Sequence, residues 1–239
     1  MNWDGALRKN GTRSFADAWY ATAVSHGLQP LISFQGHGKA PKLAAYQKAV
    51  NAAVKRWPAA SFQAWNEANH SLQSTFKYPQ LAAAYAKALD KACLNRCISV
   101  PITLVLYQNG YTERWIKSFL RSYGHTPAIW ALHVYGDANR DTNAELSLYM
   151  RLYHPQVVWV TETGAWYHFS KGYPDSLSRQ TKAASHILDP LKLFPKQIQR
   201  LYYYEWQASK NKKLTWDSAL LQNNGKPRPV YNVLLKQLN

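Results

Sequence analysis

Apolar positions along this chain follow two rhythms that alternate from end to end. Short unbroken apolar runs, the length of strands buried on both faces, are followed by longer segments whose apolar residues recur every three or four positions. Ser14 can cap a helix reaching about His26, with Phe15, Ala18, Trp19 and Thr22 on one face and Gly27 stopping it. Residues 28–34 read as a strand, followed by the loop Gly36-His37-Gly38. Pro41 opens a second helix in which Leu43, Tyr46, Val50, Val54 and Trp57 recur at helical spacing. A strand run starting near Ser61 ends in Asn66-Glu67, and Tyr78-Pro79 begins a third helix that closes near the cysteines. Residues 98–106 and 128–134 read as strands, with helices over 112–123 and 143–153. Residues 157–161 form the strand before Glu162, and an aromatic loop, 165–175, leads into a helix from Ser176 to about Phe194. A strand over 199–205, a short hairpin or loop over 214–225 and a closing helix over 229–238 complete the chain.

Strands alternate with helices about six times without runs of adjacent strands, which predicts an α/β fold with a parallel sheet and helical crossovers. A closed barrel and an open doubly wound sheet share this pattern. The open sheet usually carries a glycine-rich phosphate loop after its first strand, and none is present, so the (β/α)8 TIM barrel is favoured. With 239 residues and 46% hydrophobic content, one large core suffices and the expectation is a single domain spanning 1–239. No apolar run reaches membrane-spanning length, and the first residues lack the layout of an export signal.

In such a barrel the chemistry lies at the carboxyl ends of the strands. Those tips read Gln35 and His37, Asn66 and Glu67, residues 107–109, His133 and Tyr135, Glu162, then Glu205 and Trp206. The chain has only five glutamates, so two of them at strand ends in Trp, Thr, Asn and Gly surroundings, Glu67 and Glu162, suggest a site. Two carboxyl groups facing one another suit glycosidic cleavage, one as acid on the departing oxygen and the other at the anomeric carbon. Abundant aromatics suit the C–H faces of sugars, and Trp166, Tyr167 and Tyr173, after Glu162, are candidates for stacking. The net charge of +16 admits a solvated Lys/Arg surface or attraction to a polyanion. The positive residues are scattered, 210–213 being the densest cluster, and a phosphate-binding groove would not want paired glutamates, so nucleic acid is not the expected partner. Cys93 and Cys97, four apart, admit a short-loop disulfide in an oxidising compartment or two free thiols; the disulfide is the expectation carried forward. No second Cys or His pair at ligand spacing accompanies them, so no zinc is expected, and glycosidic cleavage by two carboxyl groups calls for no other cofactor.

Trp65-Asn66-Glu67-Ala68-Asn69 resembles the W-N-E-P-N signature on strand four of the large clan of retaining TIM-barrel glycosidases that includes cellulases, mannanases and β-xylosidases. Thr161-Glu162-Thr163-Gly164 is similar to the clan's strand-seven nucleophile motif, and His133-x-Tyr135 to its strand-six pair. Trp206 falls where the clan has a sugar-platform tryptophan, and Trp216 to Leu221 and Gly225 to Pro229 resemble its closing segment. The cysteine pair and the run from His133 to Arg140 are similar to an actinobacterial, cellulase-like group of exported proteins. The resemblance implies Glu162 as nucleophile and Glu67 as acid/base in double displacement on a β-linked poly- or oligosaccharide. It implies Asn66 on the sugar 2-hydroxyl, Tyr135 on the nucleophile, an extracellular destination and no cofactor. Its departures are Ala68 for proline and the lack of counterparts to the clan's first strand, first helix and most of its second strand. The expected barrel is therefore incomplete at its N-terminus, with about six strand–helix units. A carbohydrate-binding protein on the same fold without catalysis is the alternative.

Overall fold

Parallel strands joined by helices organise the chain, in a computed structural model that describes residues 1–9, 11–36, 38–106, 110–211 and 215–239. The candidate His37, the strand tip at 107–109 and Lys212 and Lys213 of the basic cluster lie outside the described residues. Internal contacts group the chain into two compact units, Met1–Ala131 and Leu132–Asn239, taken here in turn.

The first unit runs α1 (Gly11–Ser25), β1 (Leu31–Ser33), α2 (Leu43–Arg56), β2 (Ser61–Gln63), α3 (Pro79–Cys93), β3 (Ser99–Val100), β4 (Thr103–Val105) and α4 (Gly110–Tyr123). β1, β2 and β3 lie side by side in parallel, with Ile32 opposite Phe62 and Phe62 opposite Ser99. β2 is buried along its whole length, with the polar Ser61 and Gln63 enclosed on either side of Phe62. α2 buries Tyr46, Ala49, Val50, Ala53 and Val54, a stripe at i, i+3, i+4, i+7 and i+8. The rings of Tyr46, Tyr85 and Trp65 stack in succession, with centroids 4.2 and 5.1 Å apart, behind the segment that carries Asn66 and Glu67. Their polar ends are satisfied: the Tyr46 hydroxyl donates to the Ala64 carbonyl and that of Tyr85 to the Pro41 carbonyl, each at 2.5 Å.

Two expectations change here. The run 98–106 is two short strands, because Pro101 has no N–H to give a ladder and sits between them. α1 forms, but it buries none of its residues, and Phe15 is 73% exposed. Periodicity gave that helix an apolar face; burial needs a surface opposite it, which periodicity does not supply.

Cys93 and Cys97 are joined by a disulfide, and the Cys97 N–H donates to the Cys93 carbonyl at 3.1 Å, closing the end of α3. The enclosed loop is short, so its loss frees little chain. Replacing both cysteines by alanine should cost no more than about 2 kcal/mol, read as a fall in Tm of about 4–8 °C. A larger fall would mean that the bond holds more than its own turn.

In the second unit β5 (Trp130–His133) spans the boundary and α5 (Tyr135–Arg140), α6 (Ala144–Tyr153), β6 (Val158–Thr163), β7 (His168–Phe169), α7 (Leu177–Ala184), α8 (Asp189–Leu193), β8 (Ile198–Tyr203), β9 (Trp216–Asp217) and α9 (Pro229–Leu238) follow. β6 and β8 are parallel neighbours, from Val158 opposite Ile198 to Thr163 opposite Tyr203, with two irregularities in register. α7 and α9 pack around a core of Ala138, Ala165, Ala184, Ile187, Val230 and Leu234. The expected helix over 176–194 divides into α7 and α8. Pro190 lies in the first turn of α8, where its missing N–H has no partner to lose. β7 pairs antiparallel with β9, so the aromatic loop and the segment expected to be a short hairpin or loop bind each other, and Phe169 also pairs with Tyr173 inside the aromatic loop. Arg228 locks this edge: its guanidinium donates twice to Asp217 at 2.7 Å and once to the Ala219 carbonyl at 3.2 Å, over the ring of Tyr167. Among the described residues no helix is long and apolar enough to cross a membrane.

Candidate active site

The candidate residues fall in both units, and each half is built from its own neighbours. In the first, Asn66 and Glu67 extend the line of β2 past Gln63. The Asn66 N–H donates to the Phe34 carbonyl at 2.7 Å, and the Ala68 N–H to the Thr103 carbonyl at 3.0 Å. Glu67 lies between these anchors with φ +45°, in the left-handed region that costs a residue with a Cβ roughly 1–2 kcal/mol. The loop beyond it holds that conformation. The Asn69 amide donates to the Val105 carbonyl and accepts from the Val105 N–H, both at 2.9 Å, and the Thr75 hydroxyl donates to the Ala68 carbonyl. Trp65 is fully buried, its indole N–H on Gln73 at 3.2 Å. A chain from Gln63 Nε2 to Ser33 Oγ (2.7 Å), then from Ser33 to Asn66 Oδ1 at a long 3.5 Å, orients the Asn66 amide. Gln35 is half-buried, and its backbone is used: its N–H donates to Met1 and its carbonyl accepts from Trp3, each at 2.9 Å.

In the second unit β6 delivers Glu162 with its side chain 27% exposed. The Tyr135 hydroxyl donates to Glu162 Oε2 at 2.8 Å, and His133 Nδ1 lies 3.5 Å from the same oxygen. Three residues that the sequence placed on two different strand tips thus meet at one carboxylate oxygen. His133 ends β5, whereas Tyr135, expected at the tip of that strand, opens α5. The change of direction at Val134, whose N–H donates to the Glu162 carbonyl at 3.2 Å, brings the phenol over the carboxylate.

Trp216, which the sequence offered only as part of a closing segment, meets the Tyr135 ring edge-on at 4.6 Å. Its indole N–H donates to Ser218 Oγ at 3.1 Å, which donates to the Tyr204 carbonyl at 2.5 Å. Trp216 also borders an open groove of about 560 Å³ with Tyr167, His168, Asp175, Asp217 and Arg228. Trp166 has a different place from the one its position suggested. It is 3% exposed, enclosed by the rings of Phe169, Tyr173 and Trp216 at 4.5, 4.9 and 5.5 Å, and serves packing. Trp206 is 61% exposed, and its ring contacts the edge of Tyr231 at 6.2 Å. Burial raises the Glu205 carboxyl above its ordinary value and the neighbouring Asp217 raises it further, against the pull of Arg228. No group of three His, Cys, Asp or Glu among the described residues could hold a metal ion.

Residues 34–233 match the profile of a family described as "Glycosyl hydrolase catalytic core". No curated protein matches the sequence. Among solved structures, xylanase 10B from Thermotoga maritima is similar at a TM-score of 0.68 and 15% identity, over 98% of this chain and 81% of that one. An endo-β-1,3-glucanase of family GH128, subgroup II, from Pseudomonas viridiflava gives 0.61 and 19%, over 91% and 83%. A β-1,3-glucanosyltransferase of family 17 from Rhizomucor miehei gives 0.64 and 13%, over 92% and 82%. At these identities the likeness speaks for the fold, and the fold is the α/β TIM barrel.

Proposed function

The chain belongs to the glycosyl hydrolase catalytic core family, and on that premise we propose that it cleaves β-linked poly- or oligosaccharides with retention, using Glu162 as nucleophile and Glu67 as acid/base. The observation that carries this reading is the hydrogen bond from the Tyr135 hydroxyl to Glu162 Oε2, with His133 Nδ1 beside the same oxygen. One carboxylate oxygen is fixed in this way, and the other is the atom that forms the new bond. Glu162 Oε1 attacks the anomeric carbon as the bond to the departing oxygen breaks, and Glu67 gives that oxygen its proton. Water then attacks the glycosyl ester, Glu67 takes the proton back, and the Glu162 carboxylate leaves. The two steps balance without a metal or an organic cofactor. Retention asks for carboxyl groups about 5–5.5 Å apart across the sugar.

Asn66 is assigned to the sugar 2-hydroxyl, and the place of its amide beside Ser33, next to Glu67, supports this. The exposed ring of Trp206 supports a platform role, with Gln35 and His37 as weaker contacts. The Cys93–Cys97 bond supports an oxidising, extracellular destination.

A mechanism-based label tests the reading. Incubation with 2,4-dinitrophenyl 2-deoxy-2-fluoro-glycosides of cellobiose, xylobiose and laminaribiose should leave one sugar on the peptide bearing Glu162, seen by mass spectrometry. Parallel NMR of the unfluorinated substrates should show the β-anomer formed first. An α-anomer formed first, or a label on another carboxylate, refutes the assignment. Sugar binding by calorimetry without turnover would favour the carbohydrate-binding alternative.

A further inference from the structure

The Asn139 side chain ties the segment carrying Tyr135 to the segment leaving Glu162, and we infer that it is a positioning residue for that pair. The inference rests on the reading of Glu162 as nucleophile. Asn139 lies one helical turn after Tyr135 on α5 and is half-buried. Its Nδ2 donates to the Tyr135 carbonyl at 2.8 Å and to the Gly164 carbonyl at 2.7 Å. Its Oδ1 accepts from the Trp166 N–H at 2.7 Å. Both hydrogens and the oxygen of one planar amide are thus used on backbone groups, and two of the three partners lie within four residues of Glu162.

The geometry defines what each atom does. Gly164 follows Glu162 by two residues, so the bond to its carbonyl fixes the strand end behind the nucleophile. The bond to the Tyr135 carbonyl fixes the start of the helix whose first side chain donates to Glu162 Oε2. A shift of either segment would lengthen the phenol–carboxylate bond, and the planar amide transmits position from one to the other. No other residue type serves equally. Aspartate would turn a lone pair toward two carbonyl oxygens, and alanine would leave the Gly164 carbonyl and the Trp166 N–H without this partner.

The test is a cycle of Asn139→Ala, Tyr135→Phe and the double variant, with Glu162→Gln as reference, assayed on 2,4-dinitrophenyl glycosides of the three disaccharides. Asn139→Ala should lower kcat by about 10–100-fold with little change in KM, the loss expected from a misplacement near 1 Å. In the Tyr135→Phe background the same substitution should cost much less, because the bond it positions is already gone. An additive loss would assign Asn139 to folding alone and overturn the inference. Asn139→Asp supplies a second route if the alanine variant does not fold. Its kcat relative to wild type should rise as pH falls, since a protonated carboxyl regains one donor; a flat ratio would also overturn it. If Glu162→Gln retains turnover, the nucleophile reading fails. If Glu162→Gln is silent and Asn139→Ala matches wild type, only the positioning inference fails.

Discussion

Glu162→Gln should remove hydrolysis of every glycoside tested, whatever the leaving group, by roughly a thousandfold or more in kcat. Glu67→Ala should instead divide substrates by their leaving groups. The proton from Glu67 matters in proportion to the basicity of the departing oxygen. An unactivated disaccharide linkage therefore loses about 10²–10⁴ in kcat/KM, whereas a 2,4-dinitrophenolate leaves without help and keeps nearly its full rate of glycosylation. Its turnover then stalls at the glycosyl ester, because no base remains to activate water. Added azide, which needs no deprotonation, should restore turnover and give a glycosyl azide of β configuration. Initial rates on both substrate types, with and without azide, check all of this. Equal losses from Glu67→Ala on both leaving groups would remove the acid/base role. An azide product of α configuration would exchange the two assignments.

How far this site can be read from the residues depends on how each contact is made. Glu162 was legible because Val158, Trp159 and Val160 are buried without alternation, so the strand announces both itself and its polar end. Glu67 was legible from the run Trp65-Asn66-Glu67-Ala68-Asn69 and not from β2, where Ser61 and Gln63 flank Phe62; its left-handed backbone was not legible, because nothing in that run shows that Asn69 clamps Val105, 36 positions later. The Tyr135–Glu162 bond joins residues 27 apart, and only the resemblance of their two motifs pointed to it. Trp216, Ser218 and Asn139 were not singled out, because each meets the surroundings of Glu162 through a backbone or ring contact between distant segments. Trp166 shows the converse case, in which the sequence left stacking and loop packing open. An aromatic residue after the strand that carries Glu162 looks like a sugar platform until its neighbours Phe169 and Trp216 are seen to enclose it. Asn139 was visible only as a member of the run from His133 to Arg140, with nothing in its type to separate it from Asn143.

Gly164→Ala carries the second large effect, and the reason is close approach rather than an unusual dihedral. A Cβ at 164 would lie 2.2 Å from the Tyr204 carbonyl oxygen and 3.1 Å from Ser218 Oγ. The first of these is backbone held from both sides. The Tyr204 N–H donates to the Thr163 carbonyl at 2.8 Å, and the Tyr204 oxygen accepts from Ser218 Oγ at 2.5 Å. It cannot swing aside as a side chain could, so β6 and β8 must part where Thr163 faces Tyr203, one residue past Glu162. The cost should reach about 1–3 kcal/mol of stability. Moving Glu162 relative to Tyr135 should lower kcat about a hundredfold while KM changes little. Gly172→Ala is the matched control: the added methyl meets nothing within 4 Å, so stability should stay within about 0.5 kcal/mol of the parent. Melting curves and kcat for the two variants side by side decide the point. If Gly164→Ala proves as mild as Gly172→Ala, contact between β6 and β8 does not set the position of Glu162, and the control of that carboxylate must come from the α5 side alone.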